Sequence, residues 1–248
     1  MPPFASNWAF FLDIDGTLLD IVALPAAVRA GAADYELLTA LYEAAGGAVA
    51  LVSGRPIAGI DRIFSPLKLP AAGQHGVERR DARGRIHRHA MPSELWQEVI
   101  SPLRRYATAH EGIIFEDKGL SVALHFRLAP RLERSVHALM RDAAERLGER
   151  YEVLPGKMVL ELRPSGRDKG VAIEEFVREK PFARRKPVFL GDDLSDEYGF
   201  MVVNRLGGHS VKVGEGPTAA RWSVPDPAGA RAWLAQWIEA ASGRVPAH

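Results

Sequence analysis

Five carboxylates and one lysine mark where this chain could do chemistry. Asp13 and Asp15 end an apolar run in "WAFFLDIDGT", Asp192, Asp193 and Asp196 end another in "PVFLGDDLSDE", and Lys169 stands in "GRDKG". Acidic side chains are seldom buried unless something pairs with them. Two like charges about 4 Å apart repel by about 4 kcal/mol at an effective dielectric of about 20, so five in one crevice need a countercharge. Oxygen-only donors select a hard cation, and Mg²⁺ is the usual one where phosphate is handled. Lys169 is a second countercharge. Gly16-Thr17 and Ser53-Gly54 offer hydroxyl and backbone N–H donors to an anion.

The elements that must position these groups are short apolar runs that stop abruptly in polar residues. Besides the two above, "GAVALVSGR" ends at Ser53, and "HSVKVGEG" is a weaker fourth. Helical stretches lie between them, over Ala32–Ala45 and over Lys169–Glu179, the latter with Val171, Phe176 and Val177 near helical spacing. Strands alternating with helices predict a parallel sheet covered on both faces. Ligands of such sheets bind beyond the carboxyl ends of the strands, where the strong runs place their polar residues.

The middle of the chain reads differently. "SELWQEVISPLRRYATAHEG" predicts a helix with Ser93 as N-cap and a kink or break at Pro102. "GIIFEDKG" and "LSVALHFR" predict a hairpin turning at Lys118-Gly119. "PRLERSVHALMRDAAERLG" is amphipathic, with Leu132, Val136, Leu139, Met140, Ala143 and Leu147 on one stripe and a stop at Gly148. "YEVLPGKMVLELRP" predicts two strands around Pro155-Gly156. The block is an αββαββ module of α+β type inserted into an α/β domain. The expected division is residues 1–90 and 164–248 for the core and 91–163 for the insert, with Pro92 and Pro164-Ser165-Gly166 as linkers.

Composition sets further bounds. The 248 residues are 47% apolar and 25% charged, with a formal net charge of +1, which argues against nucleic acid as the main partner. The absence of cysteine excludes disulfides, thiolate metal sites and a cysteine nucleophile, and fits a reducing cytoplasm. No apolar run approaches the ~20 residues that span a membrane. No signal peptide is expected at the N-terminus. The expected state is a cytoplasmic monomer acting on a small molecule.

The order of the segments "DIDGT", "VSGR", "GRDKG" and "GDDLSDE" resembles the four motifs of the haloacid dehalogenase (HAD) superfamily, with room for a cap between the second and third. "GQHGVE" at Gly73–Glu78 and "EDKG" at Glu116–Gly119, supported by "LPGKMVLELRP" and "VKVGEGPTAARW", narrow the resemblance to the trehalose-6-phosphate phosphatases. Ser195 stands where that family often has threonine, and Arg167-Asp168 precede the motif lysine; neither touches the chemistry. The resemblance implies a Rossmann-like core with a cap, and Mg²⁺-dependent hydrolysis of trehalose 6-phosphate through an aspartyl-phosphate.

By that resemblance and the physics of phosphoryl transfer, Asp13 is the nucleophile and Asp15 the acid and base. Mg²⁺ is held by the carboxylates of Asp13 and Asp192 and the carbonyl of Asp15. Lys169 orients Asp13 and its phosphate, Thr17, Ser53 and Gly54 hold phosphoryl oxygens, and Asp193 and Asp196 orient the ligands or Lys169. Glu116 and Lys118 on one strand, with Glu161 on a neighbouring one, form a polar comb for sugar hydroxyls. Arg55, His75 and Arg127 are further candidates for substrate. Two other readings stand beside this one. The first is a phosphatase for another sugar phosphate, such as sucrose 6-phosphate. The second is a non-catalytic sugar-phosphate-binding regulator, which would be expected to lose Asp13 or Asp15. His87 and His89 are read as surface residues of a hairpin, Gly214-Glu215-Gly216 as a plain loop, and Trp222, Trp233 and Trp237 as packing.

Overall fold

The apolar runs become strands of an eight-stranded sheet. A computed structural model describes residues 1–22, 28–89 and 94–243. In chain order the first elements are β1 (Trp8–Leu12), α1 (Ala32–Ala44), β2 (Val49–Val52), α2 (Ile57–Phe64), β3 (Ala71–Gly73), β4 (Glu78–Arg80) and β5 (Ile86–Arg88). Then come α3 (Trp96–Ala109), β6 (Ile114–Asp117), β7 (Val122–His125), α4 (Glu133–Leu147), β8 (Tyr151–Gly156) and β9 (Val159–Pro164). The chain continues with α5 (Lys169–Phe176), β10 (Lys186–Gly191), α6 (Leu194–Arg205), β11 (His209–Val213), β12 (Trp222–Val224) and α7 (Pro227–Ala241). By contacts it divides into two compact units, Met1–His87 with Asp168–His248, and Arg88–Arg167. The sequence reading drew the breaks at 91 and 163. Its Ser93 cap, Pro92 linker and the residue at 91 lie outside the described residues.

The first unit carries the α/β sheet, in the order β12-β11-β10-β1-β2-β3-β4-β5, parallel from β12 to β3 and antiparallel where β3 meets β4. Successive side chains of a strand point to opposite faces. Trp8, Phe10 and Leu12 of β1 therefore pack with α1, α2 and α7, while Ala9 and Phe11 pack with α5 and α6. Both faces are dry, which is why these strands read as unbroken apolar runs. Trp233 and Trp237 of α7 are buried against Trp8, and Trp222 is partly buried beside the same cluster. His87 lies on β5, its Nε2 3.1 Å from an Asp81 carboxylate oxygen.

The second unit is a four-stranded antiparallel sheet, β6-β7-β9-β8, with α3 and α4 packed on one face. Val136, Met140, Ala143 and Leu147 form the buried stripe of α4, with Leu132 and Leu139 at its margin, and Gly148 ends the helix at φ +75°.

Four local expectations are corrected. The helix α3 runs unbroken through Pro102, because its buried face of Trp96, Val99, Ile100 and Leu103 holds it to the sheet on both sides of the proline. Pro155-Gly156 is not a turn: both lie in β8, and the two-residue loop is Lys157-Met158, with Met158 at φ +61°. The earlier hairpin turns at Gly119-Leu120, Lys118 N–H closing it on the Ser121 carbonyl at 2.9 Å. Finally, α5 stops at Phe176, and its buried positions are Lys169, Gly170, Ala172, Ile173 and Phe176 rather than the stripe of Val171 and Val177.

Candidate active site

The carboxyl ends of β1, β2 and β10 and the start of α5 bring the predicted groups together. Asp13 leaves β1 with its N–H still bonded to the Leu190 carbonyl at 3.0 Å, so its side chain is set by the sheet. Asp192 follows β10. Between them the chain turns at Gly16, φ +82°, where a Cβ would lie 2.4 Å from an Asp192 oxygen, so only glycine fits. Lys169 opens α5, which Asp168 caps by accepting from Val171 N–H at 2.8 Å. Its Nζ donates at 2.7 Å to Asp13 Oδ1 and at 2.7 Å to Asp196 Oδ1. The other Asp196 oxygen accepts from the N–H groups of Asp192 (3.0 Å) and Asp193 (2.9 Å), while Asp193 caps α6.

Burial opposes the charge on both members of the central pair. Lys169 is nevertheless held well above the ordinary lysine range by the Asp13 and Asp196 carboxylates. Asp13 is pushed well above the usual carboxylate range by burial, opposed by Lys169 and reinforced by the charges of Asp196 and Asp192. These directions are compatible. One ammonium shared between two carboxylates keeps its proton firmly but offsets only part of the cost of burying Asp13.

Further groups meet near the same strand ends. Arg55 grips Asp15 through a fork, Nε to Oδ2 at 2.6 Å and Nη2 to Oδ1 at 2.7 Å. Ser53 follows β2, and its Oγ accepts the Arg55 N–H at 3.2 Å. Thr17 is fully buried, and its hydroxyl has no hydrogen-bond partner among the described residues. Gly54 lies against the His75 ring: a Cβ there would sit 2.6 Å from Nε2.

The second unit carries its own polar row on the sheet face opposite its helices. Register aligns Glu116, Ala123 and Glu161 across β6, β7 and β9, so β7 separates the two glutamates that the sequence reading set on neighbouring strands. Lys118 donates to Glu161 at 2.6 Å, Ser121 donates to the same carboxylate at 2.7 Å, and His125 Nε2 lies 2.8 Å from Glu116. Burial works against the charge of Glu116, but the hydrogen bond with His125 and the charge of Lys118 hold it below the usual range. Arg127 is exposed and donates to the Lys157 carbonyl at 3.3 Å.

The trehalose-phosphatase family model matches residues 11–228, a span that holds all of these groups. The chain belongs to the trehalose-phosphatase family. It is 43% identical over 208 residues to a probable trehalose-phosphate phosphatase of Sinorhizobium fredii, covering 84% of this chain and 78% of that one. Against the trehalose-6-phosphate phosphatase of Escherichia coli it is 41% identical over 228 residues, covering 91% and 85%. Among solved structures, a trehalose-6-phosphate phosphatase related protein superposes with a TM-score of 0.78 at 27% identity, covering 96% of this chain and all of that one. A haloacid dehalogenase-like hydrolase of Bacteroides thetaiotaomicron, at 15% identity and TM-score 0.65 over 92% of this chain and 98% of that one, shares the fold. The chain is accordingly a phosphatase of the HAD fold.

Within this family member, the residues present suit a hard divalent cation. Asp13, Asp192 and Asp196 offer carboxylate oxygens within 4.8 Å of one another. Both Asp196 oxygens accept hydrogen bonds, one from Lys169 and the other from two backbone N–H groups. A divalent charge there would relieve the penalty on buried, ionised Asp13.

Several polar partners escaped the sequence reading. Lys212 of β11 is buried and donates to the Asp192 carbonyl at 2.5 Å; a lysine inside the apolar run "HSVKV" was the available signal. Ser121 and His125 lay on the polar side of the alternation in "LSVALHFR" but were not singled out. Glu78, inside "GQHGVE", is buried and bonds the Ile57 N–H at 2.6 Å.

Proposed function

We propose that this chain hydrolyses trehalose 6-phosphate to trehalose and phosphate, in two displacements on Asp13. The observation that carries the reading is the buried Asp13–Lys169–Asp196 cluster at the strand ends, in a chain of this family. Phosphate monoester hydrolysis is among the slowest uncatalysed reactions, and a covalent intermediate divides it into two easier steps. An Asp13 oxygen attacks phosphorus as the bond to the sugar oxygen breaks, and Asp15 gives that oxygen its proton. Water then attacks the phosphorus of the aspartyl-phosphate, Asp15 takes the water's proton, and the bond to Asp13 breaks to release phosphate. Lys169 offsets part of the cost of ionising Asp13 and orients it and its phosphate, while Thr17, Ser53 and the Gly54 backbone hold phosphoryl oxygens. Asp193 and Asp196 keep Lys169 and the Asp192 loop in place.

Mg²⁺, held by Asp13, Asp192 and the Asp15 carbonyl, would neutralise phosphoryl charge when bound. The domain roles are assigned as catalysis for the core, residues 1–90 and 164–248 in the sequence division, and sugar recognition for the insert, residues 91–163. Glu116, Lys118 and Glu161 are the groups assigned to the sugar. His75, packed on Gly54, and Arg127 are further substrate candidates. A phosphate-release assay tests the reading directly: turnover of trehalose 6-phosphate well above that of sucrose 6-phosphate is expected, and no release from either would overturn it.

A further inference from the structure

Residues 73–78, Gly-Gln-His-Gly-Val-Glu, lie outside the carboxylate cluster yet are wedged against two segments that build it. Gln74 N–H donates to the Arg55 carbonyl at 2.9 Å, and His75 N–H to the Ser53 carbonyl at 3.0 Å. A Cβ at Gly73 would lie 2.8 Å from both Arg55 O and Ile57 N, and one at Gly76 would lie 2.8 Å from the carbonyl of Asp168, the residue before Lys169. Gln74 and His75 sit at φ +49° and +55°, a region where residues other than glycine persist only when their surroundings hold them there.

Glu78 closes this clamp. Its buried carboxylate accepts the N–H of Ile57 at 2.6 Å, with Gln74 Nε2 at 3.4 Å. Ile57 opens α2, and the Pro56 N-cap has no side chain able to take that N–H. A carboxylate at a helix N-terminus also meets the favourable end of the helix dipole. The clamped loop is the one that carries Arg55, whose guanidinium forks onto Asp15.

We propose that Glu78 and Arg55 are positioning residues for leaving-group protonation. Glu78 sets the Ser53–Ile57 loop, the loop sets the guanidinium, and the guanidinium fixes where the Asp15 side chain lies; the fork engages both carboxylate oxygens, so one of them leaves it when Asp15 carries the proton for the departing oxygen. The proposal rests on the reading of Asp15 as the acid and goes beyond it, assigning to Arg55 a task other than contact with sugar.

The test uses two leaving groups. A sugar alkoxide needs a proton to depart, whereas p-nitrophenolate leaves without one. Release of the leaving group in the first turnover is measured by rapid quench for the wild type, Glu78→Gln, Arg55→Lys and Asp15→Asn, with trehalose 6-phosphate and with p-nitrophenyl phosphate. Both positioning variants should slow sugar release by about tenfold or more, part of the roughly 10²- to 10⁴-fold that a general acid contributes, and leave the p-nitrophenol burst near wild type. Arg55→Lys keeps the charge on a partly exposed side chain, so it reports even where Glu78→Gln fails to fold. If Arg55→Lys slows both releases alike, or neither, while Asp15→Asn discriminates between them, the positioning role falls and the acid role stands. If Asp15→Asn itself slows both alike, the acid role falls and the proposal falls with it.

Discussion

Asp13 is asked to be both buried and ionised, and its neighbours show how that conflict is met. Lys169 is shared with Asp196, which spends its other oxygen on two backbone N–H groups. Every oxygen of Asp196 is thus committed to holding the lysine and the Asp192 loop in register. Asp13→Asn is close to isosteric, so the fold should persist while steady-state phosphate release drops below detection. Retention of substantial turnover by the purified variant would exclude Asp13 as nucleophile. Asp196→Asn should behave differently. It weakens the hold on Lys169 and leaves the lysine with one carboxylate, so the expected result is a loss of roughly 3–5 kcal/mol in denaturant unfolding, the range for breaking a buried pair. Stability within error of wild type would place Lys169 in a looser setting than the 2.7 Å contact implies.

At the scale of elements, two connections matter most. The turn after β1 brings Gly16 against Asp192 so closely that an added methyl group would displace the carboxylate. Gly16→Ala should therefore abolish activity without removing any functional group, and near-native activity would show that the turn can relax. In the second unit, Lys118 and Glu161 are both buried and bond to each other. Removing one alone leaves a buried charge unpaired, which confuses stability with recognition. The double variant Lys118→Met/Glu161→Gln avoids this. If the row recognises sugar, the variant loses hydrogen bonds worth roughly 1.5–3 kcal/mol each. Turnover of trehalose 6-phosphate should then fall about ten- to a hundredfold per bond, at 1.4 kcal/mol for each tenfold. Hydrolysis of p-nitrophenyl phosphate should change little. An equal fall on both substrates would remove the row from sugar recognition.

For the molecule as a whole, a cation bound at Asp13 and Asp192 would couple stability to metal by mass action. At a free concentration near 100 times Kd the gain is about 2.7 kcal/mol. In a chain of this size each kcal/mol raises Tm by about 2–4 °C, so added Mg²⁺ should raise it by about 5–11 °C over protein held in EDTA. EDTA should also stop turnover. Full activity in excess chelator, with no shift in Tm, would remove the cation from the site. No helix among the described residues is long and apolar enough to cross a membrane.

What the sequence determined by itself was local and periodic. Unbroken apolar runs ending in Asp13, Ser53 and Asp192 marked parallel strands, because strands buried on both faces need no polar alternation. Clean alternation in "LSVALHFR" separated the face of Val122 and Leu124 from that of Ser121, Ala123 and His125. The four motifs in order identified the acid cluster and its lysine, since each motif is a few adjacent residues. What only the tertiary structure decided were pairings across long sequence separation: Arg55 on Asp15, Lys212 on the Asp192 carbonyl, and Glu78 at the start of α2. A side chain such as Arg55 has the reach for a phosphate, a sugar or a carboxylate, and spacing in the chain does not choose among them. The same holds for Pro102, whose local preference for a break is overridden by apolar contacts on either side of it. Proline in a helix interior costs about 3 kcal/mol relative to alanine, and burial of several large side chains outweighs it.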